Sequence, residues 1–180
     1  TKFQVLKYFK VNNSFVLSNL NDISSSKILC DVNFVKHPLI KKEFLDFLEN
    51  TDIYGNFIID NLTIKYLKNI KANSISIKGH IEYIQHLKVE VIPIKKSNIK
   101  NLHIKNCKKL ILIDCEIEKL ILDNCENIHI DNTKILQYTG ILDLKSSKID
   151  KSSNIPQDLL KLYQEFDDIK NHLEFNMNYV

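Results

Sequence analysis

Three cysteines in the second half of the chain are the residues whose chemistry stands out first. Cys107, Cys115 and Cys125 occupy positions i, i+8 and i+18 of the sequence. Thiolates bind zinc, and the imidazole of His103 or His129 could complete such a site. Zinc sites of this kind are usually built on a Cys-x-x-Cys pair, which this chain lacks. We therefore expect no metal and no cofactor, and we interpret the cysteines as small buried residues in a reducing compartment.

The chain also lacks the motifs of the common enzyme classes. It contains no Gly-rich phosphate-binding loop, no Gly-x-Ser-x-Gly nucleophile motif and no His-Glu-x-x-His metal motif. All 25 basic residues are lysines. The chain can therefore supply neither an arginine finger nor a bidentate guanidinium contact to phosphate or guanine. We expect a protein that is not an enzyme.

Composition limits the partners that the chain could bind. A length of 180 residues with 44% hydrophobic and 26% charged residues is typical of an ordinary globular protein. The net charge of +3 is too small to require nucleic acid or an anionic membrane as a partner. No apolar run reaches the roughly 18 residues that a membrane-spanning helix needs, and no segment resembles a signal peptide. We expect a cytoplasmic protein, and its first residue, Thr1, would fit a segment cut from a longer chain.

The three cysteines belong to an internal repeat in which each type of position recurs at i+18. The segment 99–112 reappears at 117–130, and the matched pairs are Ile99 and Ile117, Leu102 and Leu120, Ile104 and Leu122, Asn106 and Asn124, Cys107 and Cys125, Leu110 and Ile128, and Leu112 and Ile130. The same slots one coil earlier are filled by Ile81, Ile84, Ile92 and Ile94. A 19-residue step then leads back to Ile75.

Each repeat contains two apolar-x-apolar triplets followed by polar corners. Because side chains alternate along a strand, each triplet is a minimal strand with two inward residues. The triplets are Leu62-Thr63-Ile64, Ile75-Ser76-Ile77, Val89-Glu90-Val91, Leu102-His103-Ile104, Leu110-Ile111-Leu112, Leu120-Ile121-Leu122 and Ile128-His129-Ile130. The corners are Asn106-Cys107, Asp114-Cys115, Asn124-Cys125 and Asn132-Thr133. This pattern predicts a mainly β protein, a parallel β-solenoid with two flat faces and about 18 residues per coil.

The solenoid is expected to occupy residues 56–150, with a different segment on each side. Residues 1–55 are predicted to form an N-terminal subdomain or cap, with a helix over 38–49 that begins at Pro38. Residues 151–180 are predicted to contain a helix from Pro156 to about Asn171 and a possible last strand. Flanking segments of this kind would cap the two ends of a repeat array.

Two isoleucines are predicted to face outward from the solenoid. Ile111 and Ile121 are the middle residues of their triplets, where other coils place Ser76, Pro93, His103 and His129. An outward isoleucine on each face indicates a covered surface, either beneath a flanking segment or beneath a protein partner. We therefore include both isoleucines among the candidate partner-binding residues.

Four short stretches occur in an order that matches a known family. They are the runs 56–60, 75–79, 106–112 and 144–149, followed by Ile155-Pro156. Together they resemble the C-terminal domain of cyclase-associated protein and, less closely, the related tubulin-binding cofactor C domain. The GTPase-activating arginine of the cofactor C branch has no counterpart here. Residues 1–55 match no part of either domain.

The resemblance implies a fold, a function and a site. It implies a right-handed parallel β-helix that binds monomeric actin and promotes its nucleotide exchange without chemistry of its own. It also implies a possible homodimer through the C-terminal segment. If this holds, partner-binding side chains would lie near the end of the solenoid, at Lys145, Ser146, Ser147 and Lys148.

Two other functions remain as alternatives at this stage. One is a solenoid adaptor for a different protein partner, in a role like that of leucine-rich repeats or in the tubulin role of cofactor C. Leucine-rich repeats themselves need about 20 to 29 residues per repeat, so a coil of 18 is too short for that fold. The other alternative is an enzyme acting on polysaccharide, which would need clustered acids or arginines on one face.

Overall fold

Parallel β-strands wind into a solenoid over most of the described chain. The structure is a computed structural model, and it describes residues 5–6, 27–28, 32–35, 44–142, 148–150 and 152–165. Equivalent strands of successive coils lie about 18 residues apart in the sequence, and they form about five turns. The predicted mainly β, solenoidal fold is confirmed.

Thirteen strands and one helix make up the described secondary structure. The strands are β1 Val5–Leu6, β2 Lys27–Ile28, β3 Val32–Val35, β4 Phe44–Ile53, β5 Asn56–Lys71, β6 Ser74–Lys88, β7 Val91–Lys95, β8 Asn98–Lys105, β9 Lys109–Ile113, β10 Glu116–Cys125, β11 Asn127–Asp131, β12 Lys134–Leu142 and β13 Lys148–Ile149. The helix, α1, spans 157–165.

The strands form two faces, as the alternating triplets predict. Face 1 contains β7, β9, β11 and β13, and face 2 contains β8, β10 and β12. The long strand β6 runs through both faces, because it pairs with β7 through Ile77 and with β8 through 80–85. Strand β5 pairs with β6 along almost its whole length.

The predicted inward columns fill the interior. Ile117 pairs with Ile99 on one side and with Ile135 on the other, and Leu120 pairs with Leu102. All five side chains are buried. Each buried Leu or Ile contributes about 1.5–3 kcal/mol relative to an exposed one, so the columns are the main source of stability. No single coil could bury them alone.

The predicted polar corners adopt the left-handed backbone conformation. Asn106, Asp114, Asn124 and Asn132 have φ values of 54°, 53°, 57° and 42°. Asparagine and aspartate tolerate this region better than other residues with a side chain, because their short polar groups can hydrogen-bond locally. The Asn132 amide also bonds to the neighbouring coil, by donating to Oδ1 of Asp114 at 2.7 Å. The corner prediction is confirmed in these coils.

The cysteines are the second, buried residue of three of these corners. Cys107, Cys115 and Cys125 are buried free thiols. The slot of Cys115 is filled by Ser97 one coil earlier and by Thr133 one coil later, and both are buried. Their hydroxyls bond the backbone of the neighbouring coil, since Thr133 Oγ1 accepts the Cys115 N–H at 3.2 Å. This bend therefore holds small, buried side chains in three successive coils.

The helix predicted over 38–49 is wrong in its described part, which is the strand β4. In β4, Leu45 is in register with Ile64 and Leu48 with Leu67. The inward residues of this face recur at every third position, as at Ile64, Leu67 and Ile70 of β5, because the strand bends between them. That spacing resembles the i, i+3 spacing of a helix, which is how the pattern misled the prediction. Parallel pairing of β3 and β4 with β5 also crosses the predicted boundary at residue 55.

One predicted triplet and one predicted step are also wrong. Val89 and Glu90 lie between β6 and β7, and Val91 is exposed, so the triplet 89–91 is not a strand. The face 1 strand of this coil is centred on Pro93, with Ile92 and Ile94 in the slots that the 18-residue repeat predicts. The predicted 19-residue step places Ile94 next to Ile75. Ile94 instead pairs with Ile77, which is 17 residues earlier in the chain. Proline has no N–H to donate, and β7 meets β6 at this single pair while it pairs along its length with β9.

Two glycines lie against the backbone of the preceding coil. Gly79 and Gly140 both have a φ of 152°, and a Cβ at either position would collide with a leucine carbonyl of the preceding coil, at Leu62 or Leu122. A residue with a side chain would be excluded by both the backbone conformation and the contact. Strand β12 keeps its pairing with β10 through Gly140.

The C-terminal helix is confirmed over 157–165, directly after Pro156. Its Leu159 is 1% exposed and belongs to the same hydrophobic core as the coils. The predicted continuation to Asn171 and the last strand lie outside the described residues. No helix in the described part of the chain is long and apolar enough to span a membrane.

Candidate protein-binding surfaces

The central outward column of face 1 joins two of the predicted partner-binding residues. Pro93, Ile111 and His129 follow one another in register, and Lys148 of β13 pairs with His129. Ile111 and Lys148 therefore lie on one face, two coils apart. Lys145, Ser146 and Ser147 lie outside the described residues, so their positions stay predictions.

Apolar side chains are concentrated around Ile111. Val91 is 42% exposed, and Pro93, Ile111 and Ile113 are half-buried. We call these four residues the isoleucine patch. The side chains on either side of Ile111, Leu110 and Leu112, are fully buried, which confirms that Ile111 faces outward.

At the end of the column the acidic group beside Lys148 is held in its charged form. Asp150 accepts hydrogen bonds from the backbone N–H of Ser152 at 2.8 Å and from its hydroxyl at 2.7 Å. These bonds lower the pKa of Asp150, and the charges of Lys148 and His129 add to the effect.

Face 2 carries a groove that sequence reasoning did not find. The rings of Tyr66 and Tyr83 stack with centroids 4.8 Å apart and planes inclined by 9°. Beside them is an open cavity of about 460 Å³ lined by Glu49, Tyr66, Lys68, Tyr83, Ile84, Gln85, Asn101, His103 and Ile121. We call it the tyrosine groove. Ile121 lies here and not on the face of Ile111. It is the third predicted partner-binding residue whose position the structure describes.

Basic groups surround the histidine pair at one side of the groove. The rings of His86 and His103 have centroids 4.9 Å apart. Burial lowers the pKa of His86, and the neighbouring His103 and the charges of Lys105, Lys68 and Lys88 lower it further. Lys105 is paired with Asp123 at 2.8 Å. That hydrogen bond lowers the pKa of the Asp123 carboxyl.

Acidic side chains on the coils are paired with lysines one coil away. The described pairs are Lys78–Asp60, Lys100–Glu82, Lys105–Asp123, Lys108–Glu90 and Lys134–Glu116. The shortest joins Nζ of Lys108 to Oε1 of Glu90 at 2.6 Å, and it raises the pKa of the lysine. Every pair joins positions i and i+18 of the sequence. These pairs could therefore have been predicted from acids and lysines that are 18 residues apart in the sequence.

Two of the three interior thiols, Cys107 and Cys115, are held protonated, whereas the hydrogen bond with Cys107 lowers the pKa of Cys125. A hydrogen bond with Cys125, together with burial, holds the pKa of Cys107 far above its ordinary value. Burial likewise raises the pKa of Cys115. A thiol that stays protonated is a weak nucleophile and a weak metal ligand. Among the described residues no group of three His, Cys, Asp or Glu side chains is arranged to hold a metal ion.

Comparison with protein-family models, curated proteins and solved structures finds no match to this chain. The resemblance to the cyclase-associated protein domain therefore stays a prediction from the sequence.

Proposed function

We propose that this chain is a non-catalytic, protein-binding β-solenoid whose partner is monomeric actin, and that binding promotes nucleotide exchange on actin. The observation that carries the protein-binding role is the isoleucine patch, an apolar cluster on the outer side of a flat sheet.

The patch has the composition of a protein interface. Its apolar centre, around Ile111 and Ile113, is flanked by the exposed lysines Lys95 and Lys109 in the same strands. Protein interfaces commonly combine an apolar centre with a polar rim. Clustered outward apolar residues on a sheet are typical of a surface that a partner covers.

The acid–lysine ladder supports a role without catalysis. A general acid or base needs a carboxyl group free to gain or lose its proton near the working pH. Asp60, Glu82, Glu90, Glu116 and Asp123 instead each contact a lysine ammonium of the neighbouring coil. Such contacts engage the carboxylate oxygens and join adjacent coils.

The choice of actin comes from the family resemblance in the sequence. Lys148, at the end of the column that contains Ile111, would place a positive charge beside the apolar contact. Lysine makes point-charge contacts that salt screens over about 8 Å at physiological ionic strength, so binding should weaken as salt rises.

The test is a titration of fluorescently labelled monomeric actin with the wild type, Ile111→Asp and Leu136→Asp, together with the release rate of a fluorescent nucleotide from actin. Leu136 is a matched control because it is apolar and 52% exposed on face 2. We expect binding and faster release with the wild type and with Leu136→Asp, and loss of both with Ile111→Asp.

Three results would contradict the proposal in different ways. No binding by the wild type would reject actin, and a parallel pull-down with tubulin would then test the cofactor C-like role. Equal binding by all three proteins would reject the isoleucine patch as the site. Binding without faster nucleotide release would reject the exchange activity.

A further inference from the structure

The tyrosine groove is elongated and runs along the axis of the solenoid. Its lining residues come from five successive strands, β4, β5, β6, β8 and β10. The four steps between these strands span about 19 Å, since neighbouring strands lie about 4.8 Å apart. A volume of about 460 Å³ over that length leaves a narrow cross-section. This shape fits an extended ligand made of several units.

One wall of the groove presents a free aromatic face. It is formed by Tyr66, Tyr83 and Asn101, which are in register on β5, β6 and β8. The Tyr66 ring covers one face of the Tyr83 ring. The opposite face of Tyr83 points to the next coil, where the side chain of Asn101 is too short to cover a phenol ring. An aromatic face carries partial negative charge, so this one attracts the C–H groups of a flat, ring-shaped ligand.

The opposite wall consists of one side chain from each of the five strands. In register along the groove, they are Glu49, Lys68, Gln85, His103 and Ile121. Within the described part of the chain, the side-chain amides of Gln85 and Asn101 have no hydrogen-bond partner. An amide both donates and accepts hydrogen bonds, and so does a hydroxyl group. The two walls together therefore offer a stacking surface and unpaired groups that fit the hydroxyls of a sugar.

The charges of the lining favour an uncharged ligand. Glu49 and Lys68 carry opposite charges and are in register on neighbouring strands. A nucleic acid needs several lysines or arginines against its phosphates, and one lysine beside a carboxylate does not supply them. A strongly acidic or strongly basic peptide would also meet a group of its own sign.

The backbone beneath the groove is not open to a peptide ligand. Strands β5, β6 and β8 each pair with a neighbouring strand on both sides. An extended peptide gains much of its affinity from main-chain hydrogen bonds at an exposed sheet edge, which this part of the sheet does not offer. A ligand here is recognised by side chains alone, through ring stacking and hydrogen bonds. A carbohydrate makes both contacts, with its C–H groups and its hydroxyls.

We propose that the tyrosine groove binds an uncharged oligosaccharide of roughly four units along the solenoid axis, the number that a length of about 19 Å accommodates. One sugar ring packs on the outer face of Tyr83, above Asn101, and hydroxyl groups of this and the neighbouring units hydrogen-bond to Gln85, Asn101 and His103. Among the described lining residues Glu49 is the only carboxyl group, whereas glycoside hydrolysis commonly uses two. The groove therefore holds the saccharide without cleaving it. The inference does not depend on actin binding, which is proposed for face 1.

The experiment measures fluorescence anisotropy of saccharides that are labelled at the reducing end. The neutral probes are cellotetraose, maltotetraose and N-acetylated chitotetraose, each compared with its disaccharide, and the charged probe is tetragalacturonate. We expect at least one neutral tetrasaccharide to bind, and to bind at least about tenfold more tightly than its disaccharide, because it contacts more coils. Tetragalacturonate should bind more weakly than that probe, because its carboxylates would meet Glu49.

Matched variants locate the contact. Tyr83→Ser removes the stacking face and should weaken the bound probe at least about tenfold, whereas Tyr83→Phe keeps that face and should retain the affinity. The control Tyr54→Ser changes a tyrosine that is 47% exposed outside the groove. Gln85→Leu should weaken the probe about threefold or more. Its control, Gln137→Leu, lies in the column of Asn101 two coils further on and should bind as the wild type does. Circular dichroism shows whether each variant is folded.

Several outcomes would overturn the proposal. The absence of binding by every neutral tetrasaccharide would reject it, and equal loss of affinity in Tyr83→Ser and Tyr54→Ser would reject the groove as the site. A loss in Tyr83→Phe as large as in Tyr83→Ser would reject ring stacking. Tighter binding of tetragalacturonate, or of a labelled single-stranded RNA tetranucleotide, would identify a charged ligand instead. If actin binds the wild type while no saccharide does, the proposed function stands and this inference fails. If a saccharide binds but actin does not, the reverse holds.

Discussion

The amide of Asn124 donates a hydrogen bond to Oδ1 of Asn106, one coil away, at 2.9 Å. Both residues have a left-handed backbone conformation. The same arrangement recurs where the Asn69 amide donates to Oδ1 of Asn50, also at 2.9 Å. These contacts join equivalent bends, so the corners both turn the chain and hold neighbouring coils in register.

The first prediction concerns the corner at Asn124. Asn124→Ala should lower the free energy of unfolding by about 1–2 kcal/mol, since alanine is disfavoured in the left-handed region and cannot form the hydrogen bond. Asn124→Gly should cost less, because glycine adopts this backbone freely. Urea denaturation of both variants and of the exposed strand control Asn98→Ala measures the differences. An alanine variant as stable as the glycine variant would show that backbone strain is not the cause.

The second prediction concerns the inward column of face 2. Leu120 is fully buried between Leu102 and Tyr138. Leu120→Asp should unfold the protein, because an unpaired buried carboxylate costs several kcal/mol, a large part of the stability of a domain. Glu118→Lys, at a nearby exposed position of the same strand, should change stability by no more than about 0.5 kcal/mol. Matching thermal midpoints for Leu120→Asp and the wild type would mean that the column is wrongly assigned.

The third prediction concerns a tyrosine in the same column. Tyr138 is in register with Leu120, and within the described structure its hydroxyl is buried with no hydrogen-bond partner. Burial raises the pKa of Tyr138 to about 12. Tyr138→Phe should stabilise the protein by roughly 1 kcal/mol, because it removes an unsatisfied buried polar group. Tyr83→Phe, in the groove, serves as the control and should be nearly neutral. Destabilisation by Tyr138→Phe would mean that the hydroxyl is satisfied.

The fourth prediction concerns acid sensitivity at the end of face 1. The hydrogen bonds from Ser152 lower the folded-state pKa of Asp150. The unfolded carboxyl titrates near about 3.9, so the contribution of Asp150 is fully present above that pH and is lost as the pH falls through the lower, folded value. Urea midpoints between about pH 2 and pH 6 should fall less steeply for Asp150→Asn than for the wild type or for the control Glu118→Gln. Parallel curves would show that Asp150 contributes nothing.

Much of the solenoid could be predicted because its coils stack in register. Positions i and i+18, such as Leu102 and Leu120, occupy the same environment and so share the same chemistry, which makes the repeat visible in the sequence. The polar corners at Asn106 and Asn124 could be predicted for the same reason. The origin of the error at 38–49 is also understandable, because a bent strand with an inward residue at every third position has the spacing of a helix.

The surfaces could be predicted only in part. Outward exposure of Ile111 and Ile121 follows from alternation along a strand, and the structure confirms it. That the two residues lie on different faces follows from the alternation of the triplets between two faces, and the structure confirms it. That Ile111 shares a column with Lys148 depends on the pairing of His129 with Lys148, an i, i+19 relationship that departs from the repeat.

The sequence by itself determined the coil length, the inward columns and the polar corners, because these repeat at every turn and each is decided by local geometry. Only the tertiary structure decided where the groove lies. Tyr66 and Tyr83 are related as i and i+17, and their stacking follows a change of register at the bulge between Asp60 and Leu62. A bulge shifts every later residue of its strand relative to the neighbouring coil. Which side chains meet across coils therefore depends on every register change earlier in the strand ladder. A local sequence pattern does not reveal those changes.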